Sequence, residues 1–430
     1  MGLKFRCERD VLAKALADAG RAVTTRGGAL PVLAGVRLEL TGDHLTVTGS
    51  DLDLTITVGV DVHGESDGVC VLPSKLTSEV VRSLRNGAVD LTVDDDDARI
   101  VAAPAEFSIR VIPADEFPEL AAPAGDAVTL KAGEFKAAIE QVEKAASSDD
   151  ARPILTGVLM AAEEGGLRLV STDSYRLSVR DLAGSSVLGE GQKVLVPSRA
   201  LKELARVVND ETEITLRLGE RDAGFQVGSV SVTTRLIEGD FPNYRGLIPT
   251  NHPNRLQVDR TAPRRRASVR LLAQESTPIR MAMTGDDLEL VAVTQDVGQA
   301  HEAVPDASYD GADLTVAFNP EYLIDGIEVA PGDRDHPGDG RRVEARVAEV
   351  GRRPELPLPA DARAGELTSR VRPCCSVARA PGLPFLRRRP PRARRGLTAI
   401  IGENGRGRRI CSRPSAGWPA SDRFAGARRR

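Results

Sequence analysis

The chain has 430 residues, with 58 basic against 62 acidic side chains and only 3% aromatic residues. That length suits roughly two to four domains, the aromatic content is too low for a single-strand binder that stacks bases, and no run of about 18 apolar residues is present to cross a bilayer. The charge is unevenly divided: residues 331–430 hold 24 Arg, no Lys and 10 acidic residues, whereas the first 330 carry a net charge of −18. Met1–Phe5 leads straight into an alternating pattern with no signal-peptide character, and the five cysteines lack metal-like or secretory spacing. The setting expected from this is a reducing cytoplasm.

In chain order, Leu12, Leu16, Ala19 and Val23 form a helical stripe, followed by Ala29-Leu30-Pro31-Val32-Leu33. Alternating runs at Val36–Leu40 and Asp53–Val58 read as half-buried strands, with Leu45–Asp51 between them. Val71-Leu72-Pro73-Ser74 opens a second helix, whose apolar positions are Leu76, Val80 and Leu84. Asp94–Asp97 reads as a turn between strands, and Asp115-Glu116-Phe117-Pro118 closes the set. The same order then returns. Pro31 recurs as Pro153 and Pro278, Asp51 as Asp173 and Asp296, Pro73 as Pro197 and Pro320, and Phe117-Pro118 as Phe241-Pro242, at spacings of 122 to 125 residues. The first helix recurs through Phe135, Ile139, Val142 and Ala146, and the second through Leu201, Leu204 and Val208. Internal repetition at one spacing means one module used several times. Strands split around two helices predict an α+β module, with antiparallel sheet on one side and helices on the other.

The second helices carry basic residues away from their apolar faces: Lys75, Arg82 and Arg85 in the first copy, Arg199, Lys202 and Arg206 in the next. Lys14 and Arg21, seven apart, do the same on the first helix. Ordinary solvated faces are the competing reading. An acidic body with basic helix faces in register suits loose, sequence-independent contact with phosphates. His44, His63, His252, His301 and His336 are scattered, and there is no phosphate-binding loop, nucleophile elbow or paired acid and base. No cofactor and no metal site are expected. The competing functional classes are a metal nuclease dependent on Asp95 and a monomeric peptide-binding scaffold.

Taken with their order, Leu30-Pro31-Val32-Leu33, Ser171-Thr172-Asp173-Ser174-Tyr175-Arg176-Leu177, Asp240-Phe241-Pro242-Asn243-Tyr244-Arg245 and Ala317-Phe318-Asn319-Pro320-Glu321-Tyr322-Leu323 resemble the bacterial DNA sliding clamp family, the β subunit of DNA polymerase III. The resemblance covers residues 1 to about 328. It implies three tandem clamp domains per chain, a head-to-tail homodimer ring around duplex DNA, and a non-catalytic role in polymerase processivity. The partners it implies are the polymerase α subunit, the clamp loader and other clamp-binding peptides. On the matching motif positions, Leu155, Thr172, Ser174, Tyr175, Arg176 and Leu177 would line the partner-peptide pocket. Pro242, Leu247, Asn319 and Tyr322 would complete it. Arg26 would join the basic helix residues on DNA, and Phe107, Leu271 and Leu272 would lie at the dimer interface. Core packing competes for the leucines and for Phe107.

The expected domains are 1–122, 123–250, a partial third at 251–330, and an Arg/Pro/Gly-rich tail at 331–430. Pro263 and Arg264-Arg265-Arg266 interrupt the third copy of the first helix. Past Val329-Ala330-Pro331 the repeat is lost. A tail rich in Arg but free of Lys has the character of GC-rich DNA read out of frame, or of a basic nucleic-acid-binding tail. The expectation is a disordered tail, a third domain lacking its last strands, and impaired ring closure.

Overall fold

The computed structural model describes residues 2–23, 30–94, 96–118, 123–163, 166–184, 187–208, 213–248, 254–259, 278–285, 287–294, 298–304, 307–329, 342–347, 375–378 and 397–402. The first repeat contains β1 (Lys4–Glu8), α1 (Arg9–Ala19), β2 (Gly35–Thr41), β3 (His44–Ser50), β4 (Leu54–Asp61), β5 (His63–Ser66), β6 (Gly68–Pro73), α2 (Ser74–Ser83), β7 (Ala88–Asp94), β8 (Asp97–Ala102) and β9 (Ala105–Arg110). The second runs β10 (Ala127–Lys131), α3 (Ala132–Val142), β11 (Gly157–Glu163), β12 (Gly166–Thr172), β13 (Arg176–Ala183), β14 (Lys193–Pro197), α4 (Ser198–Val207), β15 (Glu213–Leu218), β16 (Asp222–Val227) and β17 (Val230–Arg235). The third comprises β18 (Asn254–Asp259), β19 (Ile279–Thr284), β20 (Asp287–Thr294), β21 (Gly298–Ala303), β22 (Ser308–Asp310), β23 (Leu314–Phe318) and α5 (Pro320–Val329). It continues with β24 (Arg342–Val347), β25 (Cys375–Ala378) and β26 (Leu397–Gly402).

The sheets do not stop at repeat borders. Strands β10-β15-β16-β17 of the second repeat continue into β4-β3-β2-β6 of the first, through antiparallel pairing of Val230 with Val58 and Thr234 with Leu54. Strands β14-β11-β12-β13 continue into β26-β25-β24-β18-β22, with Arg180 opposite Leu397 and Arg176 opposite Ile401. Both seams satisfy edge strands that would otherwise present unpaired backbone groups. Two sheets stay within one repeat, β5-β1-β7-β8-β9 in the first and β21-β20-β19-β23 in the third, and β9 and β21 stand at their edges with no further strand among the described residues.

Helices cover one side. α1 packs on α2, and α3 on α4. One apolar core runs through the first two repeats, from Phe5, Leu12 and Leu16 to Phe135, Ile139 and Leu201. A separate core in the third joins Met281, Met283, Leu290 and Phe318. The recurring proline motifs now have a physical reason. Val32 and Leu33 meet Val71 and Phe117 in one buried cluster, and Ile154 meets Leu195, Ile237 and Phe241 in its copy. Burial of this apolar surface drives the arrangement.

Several sequence expectations need correction. Leu76 is 48% exposed, because α2 buries Thr77, Val80 and Val81 instead. α2 ends at Ser83, so Arg85 lies beyond it and helical spacing does not place it. α1 ends at Ala19, and Arg21 sits in the tighter turn Gly20–Ala22 just beyond it, not on one α-helical face with Lys14. The tail expected to be without structure supplies three strands. Its segment Arg342–Val347 alternates apolar and charged residues and Leu397–Ile401 is largely apolar, which are strand patterns. The sheet ending at β21 is built from residues 279–318 alone and does not depend on the tail. The interrupted helix around Pro263 lies outside the described residues.

Candidate functional site

The residues expected to line a pocket gather where the second and third repeats meet. After β12, Asp173 turns the chain: its Oδ1 accepts the backbone N–H groups of Tyr175 at 2.8 Å and Arg176 at 2.9 Å. The turn holds Ser174 at φ 81°, a left-handed conformation that a serine adopts at some cost. Asp51 does the same in the first repeat, accepting from Leu54 N–H at 2.8 Å, with Leu52 at φ 77°. The turn therefore recurs down to its backbone conformation. It leaves Tyr175 44% exposed and sends Arg176 inward.

Arg176 crosses to α5. Its guanidinium lies 4.4 Å from the Tyr322 ring centroid and donates to Asp325 at 2.6 Å and to Asp173 at 3.1 Å. Burial pushes the Tyr322 phenol up, Asp173 adds to this and Arg176 opposes it. Asn319 caps α5 by accepting the Glu321 N–H at 2.8 Å, with Pro320 as the first helical residue. Thr172 donates to the Arg176 carbonyl at 2.6 Å, Arg152 reaches Ser174 at 3.4 Å, and Leu155 and Leu177 are buried. Leu177 shares its cluster with Tyr244, Phe241 and Leu247, and Pro242 is half-buried beside Phe241.

Sequence reasoning missed one group that fastens this seam and several that brace the second repeat beside it. Lys144, just beyond α3, donates to Glu328 at 2.7 Å and lies 3.6 Å from Asp325. Burial works to lower its pKa, but the two carboxylates outweigh that and raise it. Glu163 accepts from Tyr244 Oη at 3.1 Å and pairs with Arg168 and Arg245, tying the Phe-Pro segment to β11. Arg168 also holds Asp181 at 2.5 Å, and that bond raises its pKa. The recurring Asp at each strand end and the basic residue after each first helix were the available signals.

The basic helix residues divide into two groups. Lys75, Arg82 and Arg85 are exposed and make no ion pair among the described residues. Arg199, Lys202 and Arg206 are also exposed but are engaged: Arg199 with Asp51 at 2.5 Å, Lys202 with Glu143 at 3.6 Å, Arg206 with Glu203 at 2.5 Å. Arg199 also donates to the Arg21 carbonyl at 3.2 Å, and Arg21 reaches Glu203 at 3.4 Å. These contacts extend the helices into a row, α2–α1–α4–α3–α5. Phe107 lies 36% exposed on the outermost strand, β9. Arg26, Leu271 and Leu272 lie outside the described residues, as does Asp95, while Asp94 and Asp97 face each other across the β7–β8 turn. No group of three or more metal-ligating side chains occurs among the described residues.

The fold and its repeats are those of a chain built from three tandem DNA-clamp domains. Residues 3–121, 129–243 and 245–334 match the N-terminal, central and C-terminal domains of the DNA polymerase III beta subunit. The beta sliding clamp of Streptomyces coelicolor is 35% identical over 333 residues, covering 76% of this chain and 88% of that one. That of Staphylococcus aureus is 30% identical over 348 residues, covering 77% and 91%. Among solved structures, a Pseudomonas aeruginosa sliding clamp bound to griselimycin aligns with TM-score 0.74 at 23% identity, over 94% of this chain and 99% of that one. The C. crescentus beta sliding clamp aligns equally well, with TM-score 0.74 at 24% identity, over 94% and 98%. The chain belongs to the DNA polymerase III beta subunit family, the bacterial beta sliding clamps. Its function is that of a DNA sliding clamp serving polymerase processivity.

Proposed function

We propose that two copies of this chain close head to tail into a ring around duplex DNA, and that the ring performs no chemistry of its own. The observation that carries this is the equivalence of the seams. Strand β9 occupies the repeat position of β17, and β21 that of β4 and β13, so the two free edges are the complementary halves of a seam already used inside the chain. Carrying the internal register over puts Ala105 opposite Glu302 of the partner subunit and Phe107 opposite the partner's Ala300. A heterologous contact that closes after two copies gives a finite ring.

The helix row would line the hole. Lys75, Arg82 and Arg85, unpaired among the described residues, are available to phosphates, and Arg26 would join them from the loop before the first proline motif. Arg199, Lys202 and Arg206 contribute positive charge already shared with carboxylates. Such contacts hold DNA weakly and without reading sequence, so the ring slides. The seam between the second and third repeats would receive short peptide segments of the polymerase α subunit, the clamp loader and other partners. Exposed Tyr175 and half-buried Tyr322, Leu247 and Pro242 offer anchors there. Light scattering at micromolar concentration tests the ring: twice the chain mass is expected, and a monomer at every concentration contradicts it.

A further inference from the structure

Both internal seams pair strands, and both add an ion pair between helices. A cation just past the first helix of one repeat reaches an acid on the second helix of the next: Arg21 to Glu203 of α4 at 3.4 Å, and Lys144 to Glu328 of α5 at 2.7 Å and Asp325 at 3.6 Å. Arg21 and Lys144 are 123 residues apart and occupy the same repeat position. In the seam between copies, the helix placed as α4 and α5 are placed is α2.

Glu79 is the one acidic residue of α2, at the repeat position of Glu203. Glu203 is 7% exposed and held by two arginines. Glu79 is exposed and has no ion pair among the described residues. The neighbouring positions obey the same rule. Exposed Phe107 corresponds to Val232, which is buried beside Ile56 of the adjoining repeat, and exposed Leu76 corresponds to buried Ala200. Three positions that are covered in the second repeat are thus bare in the first.

We infer that Glu79 is the ionic latch of the ring seam, accepting a basic side chain from the third repeat of a second copy of this chain, with Leu76 and Phe107 covered at the same time. The inference rests on the ring reading above. Charge complementarity supports this occupant: the sequence from 260 to 277, which corresponds to the first helix and the segment just after it, holds five Arg, one acidic residue and no Lys. The ion pair forms as the apolar contacts exclude water, which strengthens it relative to an open surface pair.

The test is the dimer dissociation constant of the full chain, measured by sedimentation at low and high salt, for wild type, Glu79→Gln and a control, Glu220→Gln, in an exposed turn. Thermal unfolding checks that each variant folds. The latch predicts that Glu79→Gln raises the constant about tenfold at low salt and flattens its salt dependence, with Glu220→Gln matching wild type. A wild-type dimer that Glu79→Gln leaves unchanged in affinity and salt dependence overturns the latch and spares the ring. A wild-type chain that stays monomeric overturns the ring reading and the latch with it.

Discussion

Arg176 shows how one side chain can fasten two repeats. It stacks on Tyr322, bridges Asp173 and Asp325, and is itself largely buried. Removing it leaves the Asp173 carboxylate, already committed to two backbone N–H groups, without its counter-charge. Arg176→Ala should therefore cost about 2 kcal/mol of stability, read as a lower denaturation midpoint, with Arg176→Lys recovering only part because it lacks the planar fork. An unchanged midpoint would show that the seam does not depend on it. Tyr175 and Arg176 were legible in the sequence because they come after a strand-ending Asp that recurs. Asp325 was not, since it lies 149 residues further on and only folding brings it near. The left-handed turn at Leu52 and Ser174 was hidden too, because neither residue is a glycine.

Among the elements, α2 and α4 are copies with different work. Each comes after a strand ending in proline and each carries three cations in or just beyond it. On α4 those cations are consumed by carboxylates, two of them across or beside a seam, whereas on α2 they are free among the described residues. Lys75→Ala and Arg82→Ala should each weaken binding to short duplex DNA and lower the slope of log affinity against log salt by about 1, without moving the unfolding midpoint. Arg199→Ala should instead lower the midpoint by about 1 kcal/mol equivalent and change DNA affinity less. Fluorescence anisotropy across a salt series, paired with thermal melts, distinguishes these outcomes, and equal effects from both helices would contradict the division. The amphipathic pattern found these helices, but not their ends or the exposure of Leu76, because a helix at a seam answers to a neighbour that its own periodicity does not encode.

At the scale of the whole molecule, the sheets do the joining. The spacing of the proline and aspartate motifs exposed the repetition, because residues that form turns and caps must recur wherever the backbone path recurs. It did not reveal that sheets run through repeat borders, since strand partners such as Val232 and Ile56 carry no local mark of one another. Nor did composition reveal the strands at 342–347, 375–378 and 397–402, where short apolar or alternating segments are embedded in Arg-rich sequence. The free edges β9 and β21 belong to sheets formed before residue 319, which is why a closed ring is expected of this chain. The most direct measurement is retention on DNA after loading: on a nicked circular plasmid the protein should stay bound through a high-salt wash and leave once the plasmid is cut, whereas equal loss from circular and linear DNA would contradict a ring that holds by topology.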